Sequence, residues 1–107
     1  MNLPLAPGTD GAAFRHVMAT HVLPAVAAFR PQMVFISAGF DAHEADPLAN
    51  LNLHEDDFAW ATGAICDLAD EHAQGRVVST LEGGYDLDAL AASTAAHVRT
   101  LMERARD

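Results

Sequence analysis

Met33-Val34-Phe35-Ile36-Ser37-Ala38-Gly39-Phe40-Asp41 is the stretch that decides how this chain folds. Its first six residues show no polar alternation, which predicts a strand covered on both faces. Val77-Val78-Ser79-Thr80-Leu81 has the same character and runs into Glu82-Gly83-Gly84-Tyr85. Each run thus ends in glycine followed by a polar or aromatic group. In an open α/β sheet, ligands bind beyond the carboxyl ends of the strands. Asp41 and Tyr85 fall at those ends. A carboxylate and a phenol brought together there suggest a metal ligand and an oxyanion donor.

Helical patterns flank both runs. Gly8-Thr9-Asp10 supplies a turn and an N-cap candidate. Phe14, Val17, Met18, His21, Val22, Ala25 and Phe29 then recur at helical spacing. Pro24 lies inside that pattern. It removes a backbone donor and crowds the Thr20 carbonyl, so a kink or break is expected there. A second helix is expected over about 55–72, with Phe58, Ala61, Ile65, Leu68 and Ala69 as its buried stripe and Gly75 as its stop. Asp86 or Asp88 can cap a third, with Leu90, Ala91, Thr94, Val98, Leu101 and Met102 as its apolar face.

Strand–helix–strand spacing of this length implies parallel pairing and a right-handed crossover. The fold class is therefore α/β, with two main strands and three helices. Two doubly covered strands leave two open sheet edges, a poor arrangement for a free-standing domain. The expectation is the C-terminal part of a larger sheet, with possible self-association.

Composition narrows the function classes. At 107 residues and 50% hydrophobic, the chain can bury one small core rather than stay disordered. The net charge of −9 argues against nucleic acid, which calls for a basic patch. The basic residues are all Arg, which reads as coding bias. The single cysteine, Cys66, has no partner for a disulfide or a cysteine zinc site, so a reducing, cytoplasmic setting is expected. No apolar run approaches the roughly 18 residues of a membrane span, and no signal peptide is expected.

Two readings stand for each chemical motif. Asp41 is either a loop carboxylate capping the 41–46 turn or a hard oxygen ligand for a divalent metal. Asp41-Ala42-His43 and Asp70-Glu71-His72 both have a spacing that can supply two zinc ligands. His72 lies in a predicted helix, where i and i+2 point apart, so the solvated surface suits it better. For His43 a surface loop competes with a ligand role. Glu82-Gly83-Gly84-Tyr85 is either a tight turn needing positive φ or bare backbone that lets a substrate pass close. His16, His21, His54 and His97 read as surface or partly buried histidines.

Taken together and in order, Asn2-Leu3-Pro4-Leu5, Leu23-Pro24, Arg30-Pro31, Ile36 to His43, Asp46-Pro47-Leu48 and Leu81 to Leu87 resemble the zinc-dependent histone deacetylase family. The class II branch and the bacterial deacetylase-like and acetylpolyamine amidohydrolases look nearest. The resemblance spans essentially the whole of 1–107. It implies the C-terminal part of a single catalytic domain of the arginase/deacetylase fold, a parallel sheet flanked by helices. It implies that Asp41 is the second zinc-binding aspartate and that Tyr85 is the tyrosine hydrogen-bonding the substrate carbonyl and its oxyanion. Gly83 and Gly84 would line the acyl-lysine tunnel, with Phe40 and Leu48 as further substrate contacts. Leu48 stands where polyamine-selective members carry Glu, which leans toward acyl-lysine or a general acylamide. The substrates implied are acylated lysine or polyamine-like molecules.

The family's first zinc motif, Asp-x-His followed by His-Gly-Asn-Gly, is absent here, as is the tandem histidine pair that serves as general base. One of three zinc ligands remains, so the chain alone is expected to be inactive. The alternative is a non-enzymatic α/β module that self-associates through its sheet edges.

Overall fold

The computed structural model describes residues 1–105. An extended lead and a turn at Gly8 (φ 83°) bring the chain to Asp10, whose side chain accepts the Ala13 N–H at 3.0 Å and starts the first helix. Helix α1 (Gly11–Val17), a π-helical turn (Met18–Val22) and α2 (Leu23–Phe29) follow without a gap. The kink or break expected at Pro24 takes the form of a π-helical interruption: the α-helical pattern stops at Val17 and resumes at Leu23, with Pro24 in the first turn of α2. The Leu23 N–H donates to the Met18 carbonyl, five residues back, so the ladder widens by one residue just before the proline. That widening accommodates the ring and the missing donor. Arg30, in the left-handed region at φ 56°, ends the stretch.

Strands β1 (Val34–Ala38) and β2 (Val77–Leu81) pair in parallel, with Val34 opposite Val77 and Ala38 opposite Leu81. Helix α3 (Glu55–His72) makes the crossover, and α4 (Leu87–Glu103) follows β2 and packs along α3. Asp86 caps α4 by accepting the Ala89 N–H at 2.9 Å. The Gly75 N–H, at φ 72°, closes the end of α3 onto the Ala69 carbonyl.

Two expectations need correction. The strands are not covered on both faces by this chain. Val34, Ile36 and Ala38 face inward, while Phe35 (73% exposed), Ser37, Val78 and Thr80 form an open face. The apolar character of β1 answers to a layer that the described residues do not provide. The buried stripe of α4 also differs. It is Ala89, Ser93 and His97, whereas Ala91, Val98 and Met102 are exposed. Small side chains let α4 approach the Thr62–Gly63–Cys66 side of α3 closely, and a polar pair of α3 and β2 residues satisfies His97.

The core is built on Ala38, Phe40, Leu53 and Phe58, with Phe14, Ile36, Ala42 and Leu90 packed against it. The Phe40 and Phe58 rings meet edge to face at 5.1 Å. The acidic segment at 39–54 is folded rather than loose. Leu53 donates to the Ala42 carbonyl, Glu44 to the Leu53 carbonyl, and Asn52 to the Thr9 carbonyl. These bonds draw Leu53 inward and pin the segment over the carboxyl ends of the strands.

Candidate metal and substrate site

Beyond Ala38 and Leu81 the two segments stay joined. Glu82 donates to the Ala38 carbonyl at 2.9 Å and Phe40 to the Gly83 carbonyl at 2.8 Å. This fastens the segment carrying Asp41 to the one carrying Tyr85. The half-buried Asp41 carboxylate lies against Gly83. A methyl group on Gly83 would sit 2.7 Å from Asp41 Oδ2 and 2.9 Å from its Cγ. Gly83 is therefore glycine to make room for that carboxylate. Gly84 answers to a different constraint, with φ at +142° and the Leu90 side chain filling its Cβ position. The Asp41 carboxylate accepts no hydrogen bond among the described residues, so its lone pairs are free.

Asp46 is the buried carboxylate of this end, 7% exposed. Its Oδ1 accepts the Leu48 N–H at 2.9 Å and its Oδ2 the Tyr85 N–H at 2.8 Å. Burial pushes the Asp46 carboxyl up. The N–H groups of Leu48, Tyr85 and Asp86, with His43 nearby, outweigh that and hold it below the ordinary carboxylate range. The side chains of Leu48 and Tyr85 stand out from this anchor, 63% and 57% exposed. The Tyr85 hydroxyl makes no hydrogen bond among the described residues. Phe40, named with them from the sequence, has its ring in the core at 4% exposure, between Phe58 and His97.

His43 is not a surface-loop residue. It is 7% exposed, and its Nδ1 accepts the Ala45 N–H at 3.1 Å. The ring proton of neutral His43 therefore sits on Nε2. Nε2 lies 3.3 Å from Glu55 Oε1, and His54 Nε2 lies 3.4 Å from Glu44 Oε2. His43, His54 and Glu55 bring candidate ligand atoms within 4.8 Å of one another. The hydrogen bond at His43 Nδ1 does not suit a metal at Nε2, because an imidazole binding through Nε2 carries its proton on Nδ1. Metal binding here would set that proton against the Ala45 N–H. His43 Nε2 is buried beside Glu55 at the start of α3 but makes no hydrogen bond to a described residue. The Glu55 carboxyl is lowered by its own backbone N–H, against its burial, and further by His43 and His54.

His72 is not on the solvated surface that its sequence reading favoured: its side chain is only 17% exposed, with Nε2 3.9 Å from Glu71. His97 is buried, contrary to its sequence reading, and its ring bridges Thr62 and Ser79. Asp46 is the residue sequence reasoning passes over. It reads as the end of a turn, and the only signal is the Asp-Pro step, where a proline without N–H leaves the carboxylate to take the next donor at Leu48.

Residues 1–101 match the histone deacetylase domain. The chain is 46% identical over 85 residues to the histone deacetylase-like amidohydrolase of Pseudomonas aeruginosa, covering 79% of this chain and 22% of that protein. It is 40% identical over 102 residues to histone deacetylase 14, chloroplastic, of Arabidopsis thaliana, covering 95% of this chain and 24% of that one. Among solved structures, the HDA15 HD domain superposes with a TM-score of 0.84 at 33% identity, over 92% of this chain and 27% of that one. The histone deacetylase Clr3 gives 0.83 at 28% identity, over 92% and 16%. The chain thus spans about a quarter or less of the length of these relatives. Its parallel strand pair and helices are part of the arginase/deacetylase-type α/β fold. No described helix is long and apolar enough to cross a membrane. By this match along nearly its whole length, the chain belongs to the histone deacetylase family.

Proposed function

We propose that this chain supplies one wall of the active site of a zinc-dependent N-acyl amide hydrolase, acting on acylated lysine or a polyamine-like substrate. The observation that carries this reading is the Asp41 carboxylate. It lies at a strand end, free of hydrogen bonds among the described residues, over a glycine that leaves it room. The histone deacetylase family is typically zinc-dependent. A half-buried carboxylate with free lone pairs fits a zinc ligand. It fits only as one member of a set, since a catalytic zinc usually takes three protein ligands.

Asp41 would hold the metal with ligands from outside residues 1–107. The chemistry supplied by a zinc held there would be polarisation of the amide carbonyl and activation of a water molecule. Tyr85, its hydroxyl uncommitted, would donate a hydrogen bond to the oxyanion of the tetrahedral intermediate. Gly84 and the exposed Leu48 would flank the acyl chain, while Gly83 serves Asp41. Leu48 offers no charge to a polyamine, which favours acyl-lysine or a general acylamide. A general base is not among these residues, so the chain by itself is inactive on this reading. The lone buried cysteine, Cys66, whose thiol burial pushes up, is in keeping with a reducing, cytoplasmic setting.

A second reading rests on a different observation. The open sheet face at Phe35 and Val78, with both strand edges unpaired among the described residues, would suit a non-enzymatic module that self-associates. Assaying acetyl-lysine peptide hydrolysis separates the two. A complete deacetylase domain carrying this segment should turn over with zinc and lose activity with Asp41→Asn. Unchanged turnover in that variant would remove Asp41 from the site.

A further inference from the structure

We propose that Asp46 is a positioning residue that sets Tyr85 and Leu48 at the substrate site; this rests on the reading of Tyr85 as the oxyanion donor. One buried carboxylate holds the backbone of both residues, one per oxygen, at 2.8 Å to Tyr85 and 2.9 Å to Leu48. The Tyr85 bond joins segments 39 residues apart in sequence.

The anchor is itself fixed to the core. The Asp46 N–H donates to the His43 carbonyl at 3.0 Å, and the His43 N–H donates to the Phe40 carbonyl at 3.2 Å. Phe40 in turn donates to the Gly83 carbonyl. A closed circuit therefore runs from Phe40 through His43 and Asp46 to Tyr85, and back through Gly84 and Gly83. Tyr85 is held at its own N–H, and Gly83 at its carbonyl. Gly84 lies between them at φ +142°, a conformation that relaxes readily to others when one anchor is lost. Without the Asp46 carboxylate, nothing else among the described residues holds the Tyr85 N–H. Asn at this position has one acceptor oxygen and an NH₂ group. It can satisfy Leu48 or Tyr85 but not both.

The test has two arms. In the 107-residue chain, amide hydrogen exchange followed by NMR should find the Tyr85 N–H protected although its side chain is exposed. Exchange as fast as in an unstructured peptide would overturn the proposal, and this arm needs no variant. In a complete deacetylase domain carrying this segment, Asp46→Asn should lower kcat by about 10- to 100-fold, the range expected for a displaced catalytic group. Zinc content should stay the same. Combined with Tyr85→Phe it should cost little more than Tyr85→Phe alone, because both act through one hydroxyl. If Tyr85→Phe by itself leaves kcat unchanged, the donor reading fails first. If Tyr85→Phe lowers kcat but the two losses multiply, Asp46 does not act through Tyr85 and the proposal is wrong.

Discussion

His97 Nδ1 lies 2.7 Å from Thr62 Oγ1, and that hydroxyl donates its only proton to the Phe58 carbonyl at 2.6 Å. The imidazole must therefore donate from Nδ1, which leaves Nε2 to accept the Ser79 hydroxyl at 2.8 Å. One neutral tautomer joins α3, β2 and α4. Burial accounts for a His97 value held below the ordinary 6.5.

A pH dependence of stability follows. Below about pH 6.5 the unfolded chain takes up the proton before the folded chain does. The stabilisation from neutral, buried His97 is full above that value and is lost as pH falls through the lower folded-state value. Replacing His97 with Gln should cost about 1–3 kcal/mol near pH 7.5 through lost buried hydrogen bonds. The gap to the native chain should narrow at pH 5.5. Urea titrations of both chains at the two pH values check this. An equal gap at both would show that His97 is not held neutral.

Gly83 gives a sharper test of Asp41 than charge removal does. Gly83 is not in the left-handed region, so an Ala there meets no backbone strain, and the atoms nearest its methyl are those of the Asp41 carboxylate, at 2.7 Å. In a complete domain, Gly83→Ala should weaken zinc binding by roughly 10- to 100-fold, the usual cost of disturbing a ligand's immediate support. The melting temperature should barely move. Unchanged zinc affinity would mean that the carboxylate is not held where zinc needs it.

The parallel strand pair, the helix at Glu55–His72 and the Asp86 cap could be read from periodicity and capping residues, because those signals are local. Other features were hidden. Pro24 predicts trouble but not its resolution, since a π turn costs no residue pattern that differs from a helix. The burial of His97 depends on Thr62 and Ser79, which come from distant elements. The role of Asp46 depends on a partner 39 residues away, and no spacing rule reaches that far.

The 107-residue chain should self-associate. Phe35 is 73% exposed on a sheet face that also carries Val78, and Phe29, at the end of α2, is 80% exposed. Apolar groups left in water on a two-stranded sheet with unpaired edges favour intermolecular burial. Light scattering should give a mass that rises with concentration, and Phe35→Ser should shift it toward monomer. A concentration-independent monomeric mass would mean that this face needs no cover.

Asp41→Asn and Tyr85→Phe should fail in different ways in a complete domain. Asp41 would act on the metal. Exchanging its carboxylate for an amide should lower zinc affinity, and excess zinc should restore part of the activity. Tyr85 would act on the substrate oxygen as charge develops there. Its hydroxyl is uncommitted among the described residues, so removing it disturbs no bond that holds the fold. Zinc content should remain full, and kcat should drop by about 10²–10³, as for a typical oxyanion donor. KM should change little, because the contact is stronger in the transition state than with bound substrate. Metal analysis and steady-state kinetics on both variants decide the assignment. Near-normal kcat in Tyr85→Phe, or full zinc in Asp41→Asn at low metal, would reverse it.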